Sequence, residues 1–354
     1  MSSTVVPTER HDQPDANLRH RKKGSRSYPG INIVSAIAAI IPVLALLAII
    51  AVLLSESLPA IKLNGISFFT KFAWRPGGTY SLPIKTDGIL HPVGSSFGIW
   101  PLLAGTLESS GIALLIAIPV SIGAALAVVK KLPKGLSNGV GFFLEILTGI
   151  PSVVYGLWGV MTLGPTLSRD VFPFIANHAP SVFGFNFLKG NVGHGEGLIT
   201  SGIILAIMVI PIISATTRDL LRQVPTVTEE GGTAIGMTDW ETTKKITLPW
   251  VSKGVVGACI LGLARALGET MAVAMVSGSV LGTIPSNLYS TFTTIAATIV
   301  SQLDSALTDG TGFYVKTLAE TALVLMLITL LANIAARLLV KRVASAGLPV
   351  GRGV

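Results

Sequence analysis

A chain of 354 residues that is 50% hydrophobic and 12% charged, with a mean hydropathy of +0.68, has too little polar surface to be a water-soluble protein of this size. It reads as an all-α integral membrane protein. The net charge of +8 does not indicate nucleic acid, because the basic residues sit beside apolar runs, where topology and anionic lipid account for them.

The first 30 residues are polar and of mixed charge, with no apolar period, and read as a disordered basic cytoplasmic tail whose "RHRKKGSR" core anchors the topology. An apolar run over 31–54 follows. It is too long for a signal peptide and lacks a convincing small-residue cleavage site, so it reads as an uncleaved span. The outer loop from Ser55 to Ser96 carries turn chemistry and aromatic anchors, which suit a docking surface or a structured cap. Further spans are predicted at about 97–129, 139–164, 198–217, 254–282 and 314–340, giving six within a membrane domain over 31–340 and a tail over 341–354. An even number of spans puts both termini on one side. The N-terminal tail, the "KKLPK" turn, the 218–253 loop and the C-terminal end hold 18 of the 26 Lys and Arg residues, which makes that side cytoplasmic. Pro119, Pro151 and Pro211 lie within spans and are each expected to kink a helix. Cys259, the single cysteine, cannot form an internal disulfide and reads as a small buried hydrophobe.

The 218–253 loop contains "PTVTEEGGTAIGMTDWETTKKITLPW". Thr226 with Glu229 and Thr238 with Glu241 each fit a capping box, so two short helices are expected, with Gly236 breaking the first and Pro249 closing the second. Glu230, Gly231, Gly232, Gly236 and then Ile246, Leu248 and Pro249 stand at the spacing of the EAA motif, and the loop resembles that of ABC importer permeases. Two glycines replace the motif's alanines, at about 1 kcal/mol of helix propensity each. The resemblance implies a coupling hairpin seated on a separate ATPase subunit, and a type I importer (MetI-like) permease fold. No G-x-x-x-x-G-K-[ST] loop occurs in the chain; "VGHGEGLIT" is glycine-rich but lacks the lysine. ATP and Mg are therefore expected on the partner ATPase, with no cofactor bound by this chain. The five histidines, His11, His20, His91, His178 and His194, form no metal-ligand pattern.

"SSFGIWPLLAGTL", "GIPSVVYGLWG" and "ARALGETMAV" resemble the phosphate-specific transport permeases, PstC more closely than its sister PstA. This implies a bacterial inner-membrane importer: a heterodimer with a PstA-like permease, two PstB-like ATPase subunits and a PstS-like phosphate-binding protein outside, working by alternating access. The sister subunit, a permease for sulfate, molybdate or phosphonate, and more remotely a membrane enzyme or sensor, are the alternatives.

Arg265 and Glu269 raise a separate question, because a charge at the centre of a membrane helix costs about 2.5–3.5 kcal/mol on insertion scales. Four residues apart on one helix, they can neutralise each other and face the interior. Either the pair locks the fifth span, or Arg265 meets an anion with its guanidinium fork. Anion contact requires Glu269 to be protonated, turned aside or held by another cation. The resemblance favours a role in transport. Thr270 is a candidate oxygen donor, and Ser152 and Tyr155 are candidates for the path, where Pro151 frees backbone groups. Glu108, Glu145 and Glu320 read as interfacial or interhelical partners.

Overall fold

The structure is a computed structural model that describes residues 29–78, 81–178 and 186–345. The predicted N-terminal tail up to residue 28 and the C-terminal residues from 346 lie outside the described residues. Two units divide at Ile49 and Ile50. The first holds the leading part of helix α1, Pro29–Asn64, whose described side chains there are almost all exposed and apolar. Having no polar face, such a helix is suited to hydrocarbon.

In the second unit α1 runs on past the expected end at residue 54, and Gly65 in a left-handed conformation stops it. A short α2, Ser67–Thr70, leads into four small strands that the all-α expectation did not include: β1 Trp74–Arg75, β2 Ile84–Thr86, β3 Ile89–His91 and β4 Ser96–Phe97. β1 pairs antiparallel with β4, and β2 with β3. The β2–β3 turn is Asp87-Gly88, both at positive φ, the combination a two-residue hairpin turn requires. The loop is thus a folded cap.

The remaining helices are α3 Trp100–Leu126, α4 Lys134–Thr148, α5 Ser152–Trp158, α6 Gly164–Thr166, α7 Phe172–His178, α8 Leu198–Leu221, α9 Thr226–Ala234, α10 Asp239–Thr242, α11 Leu248–Leu267, α12 Met271–Val276, α13 Ile295–Leu307 and α14 Phe313–Ser345. Among the described residues five helices are long and apolar enough to cross a membrane, or six if the bent pair around residue 150 counts as one span. The predicted third span, 139–164, is not straight: Gly135–Thr148 and Ser152–His178 meet at 92°. Pro151 stands at that break, whereas Pro119 and Pro211 lie inside α3 and α8, which continue past them. The predicted fifth span, 254–282, is displaced as well. Its helix begins upstream, running through a widened π turn at Thr243–Thr247 into α11, and ends at Leu267. Pro249 therefore does not close a helix; it falls in the first turn of α11, where a missing N–H is tolerated.

α3 and α8 pack along each other through small and hydroxyl residues. Ser121 Oγ donates to the Ile210 carbonyl at 3.2 Å and Ser214 Oγ to the Ser121 carbonyl at 3.3 Å, and a Cβ at Gly202 would lie 2.5 Å from Ile112 Cγ2. Close approach of backbones is what holds helices together where lipid is as apolar as leucine. Beneath the cap, Trp74, Phe97, Phe313 and Tyr314 form a buried aromatic cluster. The Trp74 indole donates to Tyr314 Oη at 3.1 Å, and the Tyr314 hydroxyl donates to Gln302 at 2.9 Å. Buried Glu320 accepts from the Asn64 amide at 2.8 Å, so it is the interhelical partner expected.

Asp309, in the turn before α14, accepts from the Thr311 N–H at 3.0 Å, the Thr311 hydroxyl at 2.8 Å and the Tyr314 N–H at 3.0 Å. Burial pushes its carboxyl up, but these bonds outweigh burial and hold it below the ordinary aspartate value. A lowered folded value means the stabilisation is complete above the ordinary range and is lost as pH falls through the lower value. Asp309→Asn is expected to cost on the order of 1 kcal/mol at neutral pH. Thermal unfolding in detergent at pH 7 and in acid checks this: the gap between variant and native protein closes in acid.

Candidate functional site

Two interrupted helices meet at the centre of the candidate site. The first interruption is Gly149 to Pro151, between α4 and α5. Pro151 has no N–H to give the Leu147 carbonyl four residues earlier, and the Tyr155 hydroxyl donates to that oxygen instead, at 3.1 Å. Tyr155 is buried and thus mends the backbone break; Ser152 starts α5 and is half-buried. The second interruption is Gly268 to Thr270, between α11 and α12. Here the expected Arg265–Glu269 pair is not found: the helix ends between the two residues, and no salt bridge joins them. Glu269 is 7% exposed and accepts from the Ala272 N–H at 3.4 Å, so its carboxylate turns to the amides at the start of α12, where negative charge is favoured. Thr270 is the residue before α12, half-buried, with no side-chain capping bond. Arg265 is exposed, in the last turn of α11, close enough for its charge to act on the Tyr155 hydroxyl.

Glycines let the two interruptions approach. A Cβ at Gly156 would lie 2.9 Å from Met275 Sδ and 3.0 Å from Ala272 Cα, so α5 rests directly on α12. One turn on, a Cβ at Gly159 would lie 2.1 Å from Ile204 Cδ1 and 2.7 Å from a Val276 methyl. Tyr155, Ile204, Met208, Ala272 and Val276 form one buried cluster. The structure therefore brings Ser152, Tyr155, Arg265, Glu269 and Thr270 onto two facing segments that are distant in sequence.

The other candidate residues lie on the hairpin formed by α9, α10 and the turn into α11. Gly236, at φ +84°, ends α9 with the Met237 N–H on the Gly232 carbonyl at 3.1 Å and the Gly236 N–H on Thr233 at 2.9 Å, a Schellman stop. Gly232 is buried against Ile246 and Thr242, while Gly231 faces open space. Leu248 and Pro249 open α11. Glu230 is exposed and lines a cleft of about 320 Å³ with Lys131, Asp239 and Trp240. Val227, Ile235 and Trp240 are exposed apolar side chains on this polar hairpin.

Of the two expected capping boxes, Thr238 with Glu241 is present. Thr226 with Glu229 is not: α9 starts after Pro225 without a side-chain cap, and Glu229 instead binds Lys130 and accepts from the Thr247 hydroxyl at 2.8 Å. Sequence reasoning also missed the partner of Glu145. Arg218, only 6% exposed, donates to Glu145 at 2.8 Å and reaches it past Gly141, where a Cβ would lie 2.3 Å from the guanidinium. Glu108 is exposed on α3. Among the described residues no group of three or more His, Cys, Asp or Glu is placed to hold a metal ion.

A family model described as "Binding-protein-dependent transport system inner membrane component" matches residues 117–345. The chain is 58% identical over 329 residues to the phosphate transport system permease protein PstC 1 of Mycobacterium tuberculosis, covering 93% of this chain and 97% of that one. It is 37% identical over 271 residues to the phosphate transport system permease protein PstC of Mesorhizobium japonicum, covering 77% and 82%. Among solved structures, a bacterial alginate ABC transporter, in complex with an alginate pentasaccharide-bound periplasmic protein, matches over 89% of this chain and 96% of that chain. Its TM-score is 0.57 at 14% identity, a likeness of fold.

The hairpin glycines differ in what they permit. Gly231→Ala meets nothing within 4 Å and is expected to stabilise α9 by about 0.5–1 kcal/mol, whereas Gly236→Ala puts a side chain in a left-handed conformation and is expected to cost about 1–2 kcal/mol. Thermal unfolding of the two purified variants should move in opposite directions.

Proposed function

The chain belongs to the family of binding-protein-dependent transport inner-membrane components, and within it to the PstC permeases; from that premise we propose that it is a permease subunit of an ATP-driven importer of inorganic phosphate. The observation that carries the reading for an anion is the unpaired guanidinium of Arg265. It lies about 24 Å along the helix axis from Pro249, at a rise of about 1.5 Å per residue, and Glu269, the one carboxylate near enough in sequence to neutralise it, is turned into the start of α12. An exposed cation with no counter-ion inside an otherwise apolar helix suits a path for a tetrahedral oxyanion, which a guanidinium holds by two parallel bonds. The names of the close relatives support phosphate as that oxyanion.

On this reading α5 and α12 are the discontinuous helices of the path. A second, PstA-like permease closes the other side of the cavity. The α9–α10 hairpin docks on a PstB-like ATPase, which holds ATP and Mg, through Glu230 and the exposed Val227, Ile235 and Trp240. A PstS-like binding protein delivers phosphate to the capped outer face. The hairpin side and both termini are cytoplasmic, in keeping with the distribution of Lys and Arg. Nucleotide binding closes the ATPases, the hairpin moves with them, and the cavity exchanges its outer opening for an inner one. Phosphate itself cannot drive this, because a ligand shifts an equilibrium only by its unequal affinity for the two states.

Uptake of labelled phosphate and sulfate by cells lacking their own phosphate system tests the proposal. Arg265→Ala is expected to lower phosphate uptake by about tenfold or more, since a charged hydrogen-bonding partner is worth about 1.5–3 kcal/mol, and Arg265→Lys, which keeps charge but not the fork, falls between. Preferential uptake of sulfate, or wild-type phosphate uptake by Arg265→Ala in protein that inserts normally, would contradict it.

A further inference from the structure

The Glu229 carboxylate lies where three pieces of chain meet. Lys130 donates to both of its oxygens, from a π turn, Ala127–Lys131, that continues α3. Thr247 donates to Oε1 at 2.8 Å from the π turn that leads into α11, and Thr247 is wholly buried. Glu229 itself is on α9, the hairpin helix. Chain connection already ties the hairpin to α8 and α11, but α3 lies about a hundred residues upstream and gains a link to the hairpin through this carboxylate.

We propose that Glu229 is a positioning residue that carries displacement of the hairpin into α3, with Lys130 and Thr247 as its two anchors; this rests on the transport reading above. Three features distinguish the contact from an ordinary surface ion pair, which is worth about 0–1 kcal/mol and transmits little. The carboxylate is shared by two donors on different elements, so neither element moves without loading it. One donor, Thr247, is fully buried and fixes Glu229 from the inner side of the cleft that Lys130, Glu229 and Glu230 line together. Both donors lie on π turns, local widenings of the helix that recur at functional positions and re-aim a side chain. The cluster of Ala125, Leu221, Val224, Val251 and Val255 packs α3, α8 and α11 together at the same end, so a load placed on Lys130 enters a packed three-helix unit.

The test is the amount of phosphate carried per ATP hydrolysed by the whole assembly, both permeases with their ATPase subunits, in liposomes supplied with the phosphate-loaded binding protein. Glu229→Gln and Lys130→Met are each expected to lower this ratio by about threefold to thirtyfold, the range of coupling changes for residues that touch neither ligand. The exchanged double variant, Lys130→Glu with Glu229→Lys, restores most of it. Single variants that keep the native ratio, or that lose uptake and hydrolysis in parallel, would overturn the proposal. The native assembly is run first: ATP hydrolysis with no phosphate carried would strike the transport reading itself, and the clasp with it.

Discussion

Within hydrocarbon a backbone amide or carbonyl left without a partner costs several kcal/mol, so a helix can be interrupted there only where protein or water takes over the lost bonds. The two interruptions in this chain meet that constraint with their own side chains. Tyr155 supplies the donor that Pro151 lacks, and Glu269 accepts from an amide at the head of α12. Both residues are buried by the task. Arg265 is left over, a charge with no structural duty at the interruption, and the functional reading grows from that asymmetry.

The same economy appears at the hairpin. Consecutive glutamates line one cleft with different partners: Glu229 is held by Lys130 and Thr247, while Glu230 is exposed. Of the two glycines that stand where alanines are expected, Gly232 is packed under Ile246 and Thr242 and Gly231 is in the open. The site and the hairpin are connected through α11, which begins at one and ends at the other, so a tilt of that helix reaches both. Rigid packing of α3 on α8 makes such a tilt a movement of a unit.

Much of this was legible in the order of residues. Apolar runs of membrane length marked five helices, because hydropathy depends on composition and not on partners. The hairpin's Gly236 stop and the Thr238–Glu241 box were also legible, since both are local geometries fixed within a few residues. The interruption at Gly268 was not. Gly268 in "ARALGETMAV" stands at the C-cap of α11, but a lone glycine in an apolar run does not by itself announce a break, and the packing of α12 on α5 through Gly156 joins residues more than a hundred positions apart. Arg265 and Glu269 had the right spacing for a helical pair, but spacing has that meaning only if the helix continues. Glu229 fitted a capping box by position, yet its carboxylate was claimed by Lys130, 99 residues upstream. The short α13 also escaped, being too brief for a span, although a Thr294 cap and the Asp309-Gly310 turn bound it.

Anion transport by this path requires Arg265 to face water and substrate with no counter-ion. The direct measurement is the rate at which a charged, membrane-impermeant thiol reagent modifies Arg265→Cys, in the whole assembly with Cys259→Ala to remove the other thiol, with and without phosphate delivered by the binding protein. Rapid modification that slows when delivered phosphate occupies the cavity is the result the account predicts. A thiol there that the reagent cannot reach in any nucleotide state, or that reacts equally fast with and without phosphate, would contradict it.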